Sequence, residues 1–288
     1  MYDVCPMPAE SLTFSLYMLS KIQQGQSYAV CKSTFYGVKH MHKLYLQPDP
    51  TGSVLAINLL EAAKRLDTRT KNRKDPITID ILEKLYQDLV VSRNTLTSLR
   101  LMCLCILGFS GFLRFDEVSH LRRGDFKFHP TYMTIFIEKS KTDTYRDGKS
   151  VYISKGDTFL CPVKITKRYL TRAELQIEEE EHPELDEKFL FRGISKTKRS
   201  EKLRKANKPI SYTRVREILL KELQTVGLDP LRFGTHSLRA GGATEAANAG
   251  VPDRLFKRHG RWVSESAKDG YIQDNCERLL VVTKSMGL

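Results

Sequence analysis

The chain has 288 residues, 41% of them hydrophobic and 28% charged, with a formal net charge of +13. That mixture excludes a disordered polymer, and the length suits one large domain or two modest ones with real cores. The positive excess attracts polyanions, so nucleic acid is the first partner to consider, although a merely basic soluble protein also carries such a charge. Cysteines stand at positions 5, 31, 103, 105, 161 and 276 and form no CxxC pair. A disulfide framework is therefore not expected and a reducing compartment is; Cys103 and Cys105, in an apolar run, read as core. The most apolar run, Leu101 to Leu113, is shorter than the roughly 20 residues of a membrane span, and it lies far from the position of a signal peptide. The expectation is a soluble, intracellular protein with no membrane partner.

Residues 10–24 place apolar side chains at helical spacing, and Gly25 ends that element. Ser27 suits the cap of a second helix whose inward face carries Val30, Phe35, Val38 and Met41. After the turn-rich QPDPTG, residues 53–66 predict a third helix with Leu55, Leu59, Leu60 and Leu66 inward. Such a bundle has little spare core, as expected if an earlier helix precedes residue 1. The segment KRLDTRTKNRKDP (64–76) follows, with Arg69, Lys71, Arg73 and Lys74 among its basic residues. It reads both as a solvated linker and as a strap along a phosphate backbone, and the two are compatible. A domain boundary at about residue 74 satisfies both.

Thr78 or Asp80 suits the cap of a helix from Ile79, and a nearly all-round apolar helix from Leu96 to Phe112 must lie in a core. It leads into GFLRFDEVSHLRRGDF, where Arg114 needs an anionic partner and Glu117 is the nearest. Residues 132–138 and 149–154 alternate as strands, with Asp147-Gly148 as a turn signal, so Lys139 and Lys141 belong to a hairpin. A helix over 161–176 passes into the acidic EEEEHPELDE, expected to face away from DNA. The basic 192–208 segment reverses the sign, and an amphipathic helix then ends at Gly227.

The closing stretch HSLRAGGATEAANAGVPDRLFKRHGRWVSESAKDGY brings His236 and Arg239 onto one helical face, then Trp262 and Tyr271. Taken singly, His236 reads as a helix-start histidine, Trp262 as a core anchor, and Tyr271 as one of twelve tyrosines. Taken in order, Arg114 in G-x-x-R-x-x-E, Lys141 in SKTD, H-x-x-R, Trp262 and Tyr271 resemble the signature of the tyrosine recombinases, the phage integrase and Cre class. The wording of FLRFDEVSHLRRGDF and HGRWVSESAKDGYI is similar to recombinases of eukaryotic mobile elements, the DIRS-type retroelements among them.

The resemblance implies a mainly α fold with a small antiparallel sheet, arranged as a two-domain C-shaped DNA clamp. Residues 1–74 would form a helical, SAM-like core-binding domain, shortened at its start, and residues 75–288 the catalytic domain. The implied chemistry is metal-free and cofactor-free phosphoryl transfer on double-stranded DNA. Tyr271 would be the nucleophile, Arg114 and Arg239 the phosphate clamp, Lys141 the general acid, His236 a base or phosphate ligand, and Trp262 an indole donor and wall. Lys139 stands on the same strand face as Lys141, and the register, which sequence does not fix, decides between them. The apolar tail Leu279–Val282 resembles the family's device for docking into a neighbouring subunit in a DNA-bound oligomer, or it packs back on its own chain. The implied compartment is the nucleus in a eukaryote, and otherwise the cytoplasm or nucleoid. Two rival readings stay open: a DNA-binding relative that has lost turnover, and a type IB topoisomerase.

Overall fold

The computed structural model describes residues 7–69, 73–139, 147–175, 183–197, 200–274 and 276–287. Lys71 and Lys141, and the first half of the acidic run, lie outside the described residues. The chain divides into two compact units, residues 1–73 and 74–288.

The first unit packs α1 (Ser11–Gln23), α2 (Tyr28–Leu44) and α3 (Val54–Leu66). Ser27 and Ser53 cap α2 and α3, each accepting a backbone N–H from the first turn. The core is Phe14, Met18, Cys31, Phe35, Ala56, Leu60 and Ala63. This corrects the expected faces of two helices. In α3 the inward stripe is Ala56–Leu60–Ala63, Leu59 is only partly buried, and Leu55 and Leu66 are exposed. Small alanines let the helices approach closely around Leu60, and Leu55 and Leu66 are left outside. In α2, Val30 and Met41 are exposed and Val38 is only partly buried, while His42 is buried instead. Its ring satisfies both nitrogens, with Nδ1 donating to the Val38 carbonyl and Nε2 accepting the Ala9 N–H.

The second unit is built around α5 (Leu96–Ser110), preceded by α4 (Ile79–Tyr86) and a π-helical turn at Gln87–Arg93. Thr95 and Ser98 form a reciprocal capping box at its start. From Leu96 to Gly108 nearly every residue of α5 is buried, so the helix has no solvent face over that stretch. After it come α6 (Phe115–Ser119) and an antiparallel sheet, β1 (Phe126–Phe128), β2 (Tyr132–Ile137) and β3 (Lys149–Ser154), in that order. Met133, Ile135 and Ile137 alternate inward on β2, and Ile137 pairs with Lys149.

Then α7 (Pro162–Arg172), shorter than the 161–176 expected, lies along α5. After α8 (Pro183–Asp186) the basic 192–208 segment holds a second hairpin, β4 (Ile194–Lys196) with β5 (Glu201–Leu203). Next is α9 (Tyr212–Thr225), closed at Gly227 with φ of 85°. The chain ends in α10 (His236–Asn248), α11 (Asp253–Gly260), α12 (Glu265–Asp269) and α13 (Cys276–Ser285). Gly241 and Gly242 set α10 directly on backbone. A Cβ on Gly241 would stand 1.9 Å from the Ile77 carbonyl oxygen, and one on Gly242 2.0 Å from that of Phe109. No helix among the described residues is long and apolar enough to cross a membrane.

Candidate active site

The site forms where α5 ends. The chain turns through Gly111 and Phe112, and Phe112 takes a φ of 47°, unusual for a residue with a side chain. This turn aims the Phe112 carbonyl inward and sets Arg114 at the N-terminus of α6. The Arg114 backbone N–H donates to Glu117 Oε2 at 2.9 Å, and its guanidinium pairs with Glu117 Oε1 at 2.7 Å. Arg239, on α10, is fully buried at 0% exposure, and its Nη1 lies 3.9 Å from Glu117 Oε2. It donates to the carbonyls of Phe112 and, at 2.8 Å, Gly260. Its guanidinium lies 4.7 Å from the centre of the Trp262 ring and 4.9 Å from that of Tyr271.

A third arginine, unforeseen in the sequence, completes the group. Arg261 ends α11 in the left-handed region with φ of 56°. It donates to the carbonyls of His259 (2.9 Å), Phe112 (3.1 Å) and Gly111 (3.3 Å), and pairs with Glu117 Oε2 at 2.8 Å. Burial pushes the Glu117 carboxyl up, yet Arg261, the Arg114 N–H, Arg114 and Arg239 outweigh it, and its pKa is lowered on balance. Three guanidiniums thus share one carboxylate, which leaves an excess of two positive charges. Burial first, and then repulsion from Arg114, lowers the Arg239 pKa, though a guanidinium stays charged.

Tyr271 follows α12 and is held to α10 through Thr244. The Thr244 hydroxyl donates to the Tyr271 carbonyl at 3.4 Å and accepts the Gln273 N–H at 3.1 Å. The Tyr271 ring centre lies 5.8 Å from that of Trp262 and 6.4 Å from that of His236. His236, the first residue of α10, is exposed on the solvent side of this cluster. Trp262 stacks on Phe256 and is buried, with its indole Nε1 unpartnered. Such an orphaned donor beside paired arginines is suited to an anionic oxygen. His259 is held inside: its Nε2–H donates to the Ser110 carbonyl at 2.8 Å, and burial lowers its pKa.

The structure therefore brings Arg114, His236, Arg239, Trp262 and Tyr271 together. Lys139, exposed at the end of β2, lines a cavity of about 260 Å³ with Asp116 and Glu117. Of the basic linker, Arg69 is engaged with the Gly25 carbonyl and with Asp67, Arg73 is exposed, and the Lys74 ammonium donates to the Leu231 carbonyl at 2.6 Å. No group of three His, Cys, Asp or Glu side chains among the described residues is placed to hold a metal.

No family model matches the chain. In sequence it is similar to an integrase/recombinase XerD homolog of Selenomonas ruminantium, 31% identical over 215 residues. That match takes in 74% of this chain and spans 58% of the relative's length. In structure it is similar to the XerH site-specific recombinase bound to palindromic difH substrate in a post-cleavage complex. There the TM-score is 0.62 at 15% identity, over 97% of this chain and 70% of that one. The Tn1549 transposon integrase in complex with circular intermediate DNA gives a TM-score of 0.57 at 11% identity, over 96% and 85% of the two chains. A lambda integrase dimer bound to a core site gives 0.52 at 16%, over 93% and 65%.

Proposed function

We propose that this chain is a tyrosine recombinase, and that it cuts and rejoins strands of double-stranded DNA through a phosphotyrosyl intermediate. The observation that carries the reading is the convergence of Arg114 and Arg239 on one carboxylate, with the Tyr271 ring on Arg239. The Tyr271 oxygen bonds to phosphorus as the bond to the 5′ oxygen breaks, leaving a 3′-phosphotyrosyl link and a free 5′ hydroxyl. Charge that develops on the non-bridging oxygens is met by Arg114, Arg239 and the Trp262 indole N–H. His236 takes the phenolic proton, and a lysine of the β2–β3 connection, Lys141, gives one to the leaving oxygen. Rejoining runs the same steps backwards with another 5′ hydroxyl, so phosphodiester bond energy is conserved. In this reading residues 1–73 form the core-binding half and the exposed Arg73 lies on the DNA backbone. The wording around Arg114 and Trp262 supports an origin in a eukaryotic mobile element of the DIRS type.

On a nicked suicide duplex, wild-type protein should form a covalent adduct stable to denaturant, and Tyr271→Phe should form none while binding the duplex with unchanged affinity. An adduct that persists in Tyr271→Phe removes the nucleophile assignment. Duplex binding by the wild type with no adduct at all points instead to a relative that has lost turnover.

The tail supports assembly on DNA. In α13, Leu279, Leu280, Val281 and Val282 are all exposed, and Arg278 ties the helix to the Asn248 carbonyl. Nearby, Phe112, Tyr152, Val251, Leu255 and Phe256 line an apolar cavity of about 590 Å³. The reading is that α13 of one protomer enters this cavity on the next. Leu279→Asp with Val282→Asp should abolish higher-order complexes on paired sites while one protomer still binds a half-site. Native mass measurement of the protein–DNA complexes decides it, and an unchanged complex size refutes the docking role.

A further inference from the structure

We infer that Arg261 is a positioning residue of the cleavage site, taking up the charge of Glu117 so that Arg114 stays free to meet the phosphate. The inference rests on the strand-cleavage reading of Tyr271. Its starting point is the backbone: Arg261 holds a φ of 56°, where glycine is at ease and a longer side chain is not. An arginine kept at such a position is held by what its side chain does. Here the guanidinium is 2% exposed, spans the carbonyls of Gly111, Phe112 and His259, and reaches Glu117 Oε2 at 2.8 Å.

The three arginines sharing Glu117 differ in one decisive respect. Arg239 is sealed at 0% exposure and Arg261 at 2%, whereas Arg114 is 15% exposed. Arg114 is the most open of the three to an incoming ligand. Its rival for that ligand is Glu117 Oε1, 2.7 Å away, and a carboxylate in a buried setting competes strongly with a phosphate for the same fork. Arg261 weakens this competition by neutralising the same carboxylate from its buried side. It also shares the Phe112 carbonyl with Arg239 and directly precedes Trp262, so it ties the α6 turn, α10 and the indole together.

Arg261→Gly keeps the residue type that suits the turn and removes only the side chain, leaving Glu117 to Arg114 and Arg239. The single-turnover rate of adduct formation should then fall about ten- to a hundredfold, with the duplex dissociation constant changed less than about threefold. Adding Glu117→Gln restores the original excess of two charges and should recover at least about tenfold of the loss. A role confined to packing gives no such recovery. Arg261→Lys, which keeps the charge and loses the fork, should stay within about tenfold of wild type; it decides the matter even if the glycine variant does not fold. Arg261→Gly at the wild-type rate, a double variant no faster than the single one, or a lysine variant as slow as the glycine variant overturns the assignment. Absence of an adduct from the wild type itself would instead strike the parent reading.

Discussion

Replacing Arg239 by methionine should lower the rate of covalent adduct formation by about a hundred- to a thousandfold, the range for loss of one fixed donor from a transition state. Methionine fills much of the volume and keeps the contact with Trp262 and Tyr271, but it carries no charge. The Gly260 carbonyl loses this donor inside the fold, and the Phe112 carbonyl is left with Arg261 alone. Removing one member of a buried ionic group destabilises by about 3–5 kcal/mol, so the melting temperature should fall as well. Arg239→Lys should share most of the kinetic loss, because an ammonium cannot serve two carbonyls and a phosphate with a planar fork. Single-turnover cleavage of a suicide duplex, measured well below the melting temperature, separates the two effects. A methionine variant within about tenfold of wild type would show that Arg239 is a structural cation only.

The second large effect concerns Gly241 and Gly242. Alanine at either position drives a Cβ into a carbonyl oxygen, that of Ile77 or Phe109, at about two thirds of the shortest distance a real contact allows. Backbone cannot rotate aside as a side chain does, so α10 must back away from the segment before α4 or from α5. We expect a loss of at least about 3 kcal/mol, the scale of severe overpacking. For a unit of this size the melting temperature falls by about 6–12 °C. Gly37→Ala supplies the control: it lies within α2, a Cβ there meets nothing within 4 Å, and the change should be neutral or slightly stabilising. Gly241→Ala melting within about 2 °C of wild type would refute the close approach.

Much of this arrangement was legible in the residues. The apolar stretch from Leu96 had to be a buried helix, and α5 is one. The alternation at Tyr132–Ile137 had to be a strand, and the paired Lys149–Ser154 confirms its partner. The i,i+3 spacing of His236 and Arg239 sets both at the start of one helix. What escaped was written in weak local signals. β1, β4 and β5 are three residues each, too short for any periodicity to register, and arise from what tertiary packing leaves beside them. The inward face of α3 escaped because Ala56 and Ala63 are small and carry little apolar signal in a sequence. Arg261 escaped for a different reason. Its role follows from a left-handed backbone and from Glu117, 144 positions earlier, and no spacing rule joins the two. The sole hint was a charge lodged between Gly260 and Trp262 in a stretch that must turn.

The backbone-on-backbone seat of α10 couples the positions of Arg239 and Arg114. No deformable layer of side chains lies between the two glycines and the carbonyls they rest on, one before α4 and one near the end of α5. Arg239 is carried by α10 and Arg114 follows α5 within four residues. Breathing of the hydrophobic interior should therefore displace both guanidiniums in concert, with little change in their separation as the protein warms.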